Sequence, residues 1–167
     1  MTAPPSSLRE AAGLIERREI SPVELTRACL DRIAAGNDDL RAFITVTAER
    51  ALAAAARAER SIAAGKYRGP LHGIPISVKD LVDLAGTPTT SASRVPPRLP
   101  AHDAPVVANL LRAGAVIVGK TNLHEFAFGT TADETAFGAV RNPHDRTRSA
   151  GGSSAGAAVA VLEGMCY

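Results

Sequence analysis

Residues 73–80 read Gly73-Ile74-Pro75-Ile76-Ser77-Val78-Lys79-Asp80. Ile74, Ile76 and Val78 alternate with Pro75 and Ser77, the two-residue period of a strand with one face committed to a core. A lysine and an aspartate stand directly at its end. A second apolar run, Ala115-Val116-Ile117-Val118, follows a helical stretch. In that stretch Asp103 is placed to cap, Pro105 sits just inside, and Val106, Val107, Leu110 and Leu111 supply an apolar face up to Gly114. Gly119-Lys120-Thr121-Asn122 then reads as a turn into a helix over residues 123–128. Helix, glycine, strand, turn and helix make an α/β rhythm.

Toward the N-terminus the pattern is helical. Ser7 and Glu10 have capping-box spacing, with Leu8, Ala11, Ala12 and Ile15 as one stripe. Ser21, Pro22 and Glu24 fit the N-cap, N1 and N3 positions of a second helix carrying Leu25, Cys29 and Ile33, with Gly36-Asn37 as its stop. Residues 43–46 are a short strand-like run. Residues 47–64 form an Ala-rich helix with Ala51, Ala55 and Ile62 inward and Gly65 as its stop. Toward the C-terminus, residues 86–100 are a Thr/Ser/Pro loop long enough to be functional. Residues 129–148 are irregular, and Gly151-Gly152-Ser153-Ser154-Ala155-Gly156 leads into an Ala/Val helix over 157–163. Two units follow: residues 1–66 as an N-terminal helical layer and residues 67–167 as the start of an α/β core. A sheet normally has about 5–6 strands, so two clear strands leave the sheet incomplete and the chain reads as cut within a domain.

The 167 residues, 46% hydrophobic and 22% charged with a net charge of +2, suit a globular protein. The charge is too small to call for nucleic acid, and no basic block is interleaved with the four Phe and two Tyr. Two cysteines, Cys29 and Cys166, make no disulfide framework, and Cys29 reads as a buried thiol. Residues 1–7 carry no apolar leader behind a basic start, and no run is long enough to span a bilayer, so a cytoplasmic protein is expected. His72, His102, His124 and His144 are scattered without metal-ligand spacing, and no metal is expected.

Chemistry is concentrated in two places. Gly151 and Gly152 hold two hydroxyls, Ser153 and Ser154, where bulky neighbours would block access, and such a turn can offer backbone N–H groups to developing negative charge. The alternative is an ordinary serine helix cap. Lys79 stands at the tip of an apolar strand, where desolvation favours its neutral amine, which can accept a proton relayed through a serine. The alternative is a solvated Lys79 paired with Asp80. Lys120 competes as the reactive lysine or clamps a neighbouring loop. A Ser-His-Asp triad with His72 or His124 as base stays open, although no G-x-S-x-G elbow is present.

Taken together, residues 73–80, then Gly119-Lys120-Thr121-Asn122 with Glu125-Phe126 and Gly129, then Asn142-Pro143 and Gly151-Gly152-Ser153-Ser154, resemble the N-terminal part of the amidase signature family. The similarity runs from about Ser21 to the C-terminus. It implies an α/β fold, a mixed β-sheet covered by helices, incomplete in this chain. It implies a serine hydrolase with a Ser-Ser-Lys triad cleaving linear C–N amide bonds, with no cofactor. Lys79 falls on the family's lysine, Ser153 on its bridging serine in a cis peptide, and Ser154 on the supporting serine, with Gly151 and Gly152 beside them. Gly129 and Thr130 fall on a loop resembling part of the substrate wall. Asn122 and Glu125 read as structural. The family's nucleophile belongs to a later Gly-Thr-Asp-Thr-Gly-Gly-Ser-like segment, so this chain is expected to lack it and to be inactive alone. Ala150 and Ala155 depart from the family's Pro and Gly.

The partners implied are a small-molecule amide substrate, no nucleic acid by direct binding and no membrane, with a homodimer or amidotransferase partner subunits both open. A rival reading within the resemblance is the glutaminase subunit of a glutamyl-tRNA(Gln) amidotransferase. A third is a non-catalytic fragment.

Overall fold

Serine caps begin the first two helices in a computed structural model that describes residues 5–167. At α1 (Leu8–Glu16) the Ser7 hydroxyl accepts from the Glu10 N–H at 3.2 Å. The Glu10 carboxylate turns instead to the Ser6 N–H and hydroxyl, so this box is only half formed. At α2 (Pro22–Leu40) the box is complete: Ser21 Oγ accepts from Glu24 N at 3.0 Å, and the Glu24 carboxylate accepts from Ser21 N at 2.8 Å.

The expected stop at Gly36-Asn37 is corrected. The helix continues to Leu40 and ends at Arg41, which takes a left-handed conformation (φ 55°). Gly36 serves packing instead, since a Cβ there would lie 2.9 Å from the Met165 methyl. Asn37 ties the helix to the next strand, with its amide bonded to both Phe43 N and Phe43 O.

That strand, β1 (Phe43–Val46), is followed by α3 (Ala48–Ala63), which buries Ala51, Ala55, Ala58 and Ile62. The alternating run forms β2 (Pro75–Lys79), and α4 (Pro105–Arg112) precedes β3 (Val116–Thr121). Asp103 does not cap α4. Its carboxylate accepts from Ala85 N at 2.7 Å, and Ala104 holds the cap position with no side-chain bond. Val107 alone of the expected apolar face is fully buried, and Val106 points to solvent.

The sheet is mixed, in the order β1-β3-β2, with β1 antiparallel and β2 parallel to the central β3. The first 66 residues thus contribute one strand to it, beside two from the remainder. β3 runs three residues past its expected end, and Gly119 is a close strand contact rather than a turn. A Cβ there would lie 2.4 Å from the Thr45 carbonyl oxygen.

The ladder slips by one residue at this point: Ile76 pairs with Ile117, but Ser77 pairs with Gly119, Val78 with Lys120 and Lys79 with Thr121. Such a bulge reverses the alternation of the strand beyond it. Before it, Val116 and Val118 pack with Val159 and Met165 on one side, while Ile117 packs with Ile76 and Val78 on the other. Beyond it, Lys120 joins the face of Val78 and Thr121 joins the face of Lys79.

The expected helix over 123–128 is a single 3-10 turn, Glu125–Ala127. Phe126 and Ala127 have positive φ (51° and 60°), which no right-handed helix accommodates. The last helix, α5 (Ala155–Leu162), begins two residues earlier than expected. No helix among the described residues is long and apolar enough to cross a membrane.

Candidate active site

Lys79 is the last residue of β2 and projects toward the start of α5. Its Nζ donates to Ser153 Oγ at 2.7 Å and to Ser154 Oγ at 2.9 Å. Among the described residues it forms no ion pair with a carboxylate, and its hydrogen bonds go to two hydroxyls. Burial pushes the amine below its ordinary value of 10.5. Ser154 occupies the N-cap position of α5 but makes no capping bond, its hydroxyl being turned to Lys79. The two serines therefore serve the lysine, not the helix end.

The loop carrying them is fixed on both sides. The Gly152–Ser153 peptide is cis, and Gly151 has φ +82°. Gly152 lies so close to the backbone of residues 130–132 that a Cβ would sit 2.8 Å from the Thr130 carbonyl carbon. Ser149 Oγ donates to the Thr131 carbonyl at 2.7 Å and accepts from Gly151 N at 3.0 Å. On the other side the Ser153 carbonyl accepts from His124 N at 3.0 Å. Gly156 N donates to the Asn122 carbonyl at 3.1 Å. Asn122, fully buried, bonds through its side chain to the Arg41 and Gly138 carbonyls, Leu123 N and the Thr135 hydroxyl.

Lys79, Gly151, Gly152, Ser153 and Ser154 are thus brought together. Thr130 borders Gly152, and Gly129 lies beneath the His124 ring, 2.2 Å from Cε1 for a hypothetical Cβ. The histidines are placed elsewhere. His124 Nδ1 accepts from Ala132 N at 3.2 Å, and His72 Nδ1 accepts from Arg68 N at 3.1 Å. Neither bonds a serine hydroxyl. Glu125 opens the 3-10 turn as its first-turn acid and donates its N–H to the Glu134 carbonyl, while His124, not Asn122, holds the cap position. Among the described residues no group of three or more His, Cys, Asp or Glu is arranged to hold a metal ion.

Asp80 does not pair with Lys79. It is fully buried with Lys120, whose Nζ lies 2.7 Å from Asp80 Oδ1 and donates to the Pro88 carbonyl at 2.9 Å and Thr89 Oγ1 at 2.7 Å. Asp80 Oδ2 accepts from the Thr90 hydroxyl and from Thr90 N. Sequence reasoning missed this pair. The sequence sets unlike charges at the ends of two apolar strands, but regular alternation would put them on opposite faces, and only the register slip joins them.

A mixed sheet flanked by helices, with a lysine at a strand end bonded to two serines at the start of a helix, defines an α/β protein. The chain belongs to the amidase family, whose model matches residues 24–167. It is 47% identical over 153 residues, 91% of its length, to a glutamyl-tRNA(Gln) amidotransferase subunit of Acidothermus cellulolyticus. It superposes on a crystal structure of an amidase with a TM-score of 0.88 and 40% identity, over 96% of this chain and 37% of that one. The native peptide amidase of Stenotrophomonas maltophilia gives 0.88 and 37%, over 96% of this chain and 34% of that one. The chain spans 30% of the length of the Acidothermus relative and 33% of the relative from Anaeromyxobacter dehalogenans.

Proposed function

We propose that Lys79, Ser153 and Ser154 form the proton-relay part of an amide hydrolase acting on linear carboxamides. The observation that carries this reading is the 2.7 Å approach of Lys79 Nζ to Ser153 Oγ with no carboxylate paired to it. In this reading Lys79 works uncharged. It takes the Ser153 proton as Ser153 takes the proton of an attacking serine supplied from outside these 167 residues. The new C–O bond forms at the amide carbonyl, backbone N–H groups hold the oxyanion, and the C–N bond then breaks. The proton returns through Ser153 to the departing nitrogen, and water releases the carboxylate. Ser154 keeps the amine in place, Gly151 and Gly152 leave room for the substrate, and Gly129 and Thr130 form part of its wall. Residues 67–167 would then open the catalytic core, with residues 1–66 adding β1 to its sheet and helices packed against it.

A second reading is favoured by the relatives' names. As the glutaminase subunit of a glutamyl-tRNA(Gln) amidotransferase, the same relay would release ammonia from glutamine for a partner subunit. Both readings are tested by ammonia release from aliphatic amides, aromatic amides and glutamine. The protein is assayed alone, and then joined to a C-terminal segment carrying the Gly-Gly-Ser-like serine. The expected result is no turnover by the 167 residues, turnover by the joined protein, and its loss in Lys79→Ala and Ser153→Ala. Turnover that survives either substitution refutes the relay. Glutamine turnover only with a partner subunit selects the second reading.

A further inference from the structure

Lys120 is the bulkiest of the fully buried side chains among the described residues, and the relay makes no use of it. A buried ammonium is costly unless it is paired and hydrogen-bonded. Here it is both, through Asp80, Thr89 and the Pro88 carbonyl.

The place of the pair matters more than its existence. Asp80 follows Lys79 in the chain, so its carboxylate is the nearest natural counter-ion for the catalytic amine. Strand alternation sends the two side chains to opposite faces. The slip at Gly119 puts Lys120 opposite Val78, on the Asp80 side. We propose that Lys120 is a positioning residue for Lys79: it neutralises the Asp80 carboxylate on the far face of the sheet, so that no uncompensated buried anion acts through the sheet to hold the proton on the Lys79 amine.

The inference rests on the relay reading for its purpose, but not for its geometry. Several other ionisable groups have partners of their own. Asp83 is held by Arg98 at 3.0 Å, and Cys166 donates to Ser77 Oγ at 3.4 Å. His124 accepts from Ala132 N, and Glu134 stands 3.7 Å from its other ring nitrogen. On α2, Arg32 donates to the Ala28 and Gly164 carbonyls, and burial pushes the Cys29 thiol up to about 12. Asp80 is the carboxylate that losing Lys120 would leave without a counter-ion, still held by Thr90.

The same pair steadies a second structure. Asp80 Oδ2 holds Thr90, the Asp80 carbonyl accepts from Ser91 N, and the Ser91 carbonyl accepts from Phe126 N. The loop over 86–100 and the segment bordering Gly129 are thus tied to it.

The test reads amines directly and needs no turnover. Competitive acetylation of the whole 167-residue chain, followed across pH by mass spectrometry, gives the titration of each lysine, with exposed Lys66 as internal reference. In the wild type Lys79 should titrate below Lys66, and Lys120 should stay unlabelled until the chain unfolds. In Lys120→Gln, which keeps a polar group toward Thr89, Lys79 should lose at least about tenfold in reactivity near neutral pH, equivalent to one pKa unit. In Asp80→Asn/Lys120→Met the free carboxylate is gone, and Lys79 should recover its wild-type profile. A merely structural role predicts no such rescue. Unchanged Lys79 reactivity in folded Lys120→Gln overturns the proposal, as does a wild-type Lys79 that titrates with Lys66. If Lys120→Gln does not fold, the double variant decides: a wild-type Lys79 profile supports the proposal, and a suppressed one refutes it. If the 167 residues show this pattern while the protein joined to the Gly-Gly-Ser-like segment releases no ammonia from any amide, the relay reading falls and this one stands.

Discussion

Gly156→Ala tests whether α5 is seated tightly enough to aim the two serines. The added Cβ would lie 2.4 Å from the Ala42 carbonyl oxygen, 2.5 Å from the Asn122 carbonyl oxygen and 2.7 Å from Asn122 N. All three are backbone atoms and none can swing aside. Ordinary contact begins near 3.4 Å, so the first turn of α5 must retreat by about 1 Å. Overpacking costs roughly 1–3 kcal/mol, and three backbone clashes put this site near about 3. Replacing a helical glycine by alanine offsets about 1 kcal/mol, leaving a net loss of about 2. With a urea slope of about 2 kcal/mol per molar, the unfolding midpoint should fall by about 1 M. The same retreat lengthens the 2.7 Å contact between Lys79 and Ser153 beyond hydrogen-bond range. Urea titration followed by circular dichroism reads the first effect, and Lys79 acetylation relative to Lys66 reads the second. A midpoint at or above that of the wild type, with Lys79 labelled as before, would show that the close seating of α5 does not control the site.

Ser21→Ala removes the 3.0 Å bond to Glu24 N and should cost about 1 kcal/mol in urea unfolding, while Ser21→Thr should retain most of it. Cys29 and Cys166 are both buried, so neither should react with an aromatic disulfide reagent at pH 8 until urea is added. Because the folded chain holds the Cys29 proton up to about 12 while an unfolded thiol releases it near 9, stability should fall as pH rises between those values. Lys79 contributes with the opposite sign. Its folded amine releases a proton below 10.5, so across that window the unfolded chain binds more protons and stability rises with pH. The difference in urea midpoint between wild type and Lys79→Met should follow that slope, and a difference independent of pH between 7 and 11 would contradict it.

Local signals foretold the elements that obey local rules. Ser21, Pro22 and Glu24 specify a helix start within four residues, and Ile74, Ile76 and Val78 expose a strand period that tertiary structure left intact. The failures fall where distant atoms decide. Gly36 and Gly119 read as punctuation, but each is a glycine because another part of the chain passes through the space a side chain would fill. Asp103 reads as a cap because nothing in sequence reveals Ala85 N as the competing donor. At the site, Lys79 and Ser153 are 74 positions apart; their chemistry suggested a relay and the family resemblance named the partners, but no local pattern joined them before the structure placed them 2.7 Å apart. The Asp80–Lys120 pair escaped even that, since its partners share a face only through a one-residue slip, which no periodicity within a single strand encodes.

That slip constrains anyone who would transplant the motif. Continued without interruption from Ile76 and Ile117, the parallel ladder would set Lys79 abreast of Lys120. Neighbouring strands lie about 4.8 Å apart. Two ammonium groups would then crowd one side, and Asp80 would be stranded on the other. A scaffold given the lysine and both serines on a regular sheet would inherit that quarrel between like charges. The phase change at Gly119 has to be copied along with the reactive groups.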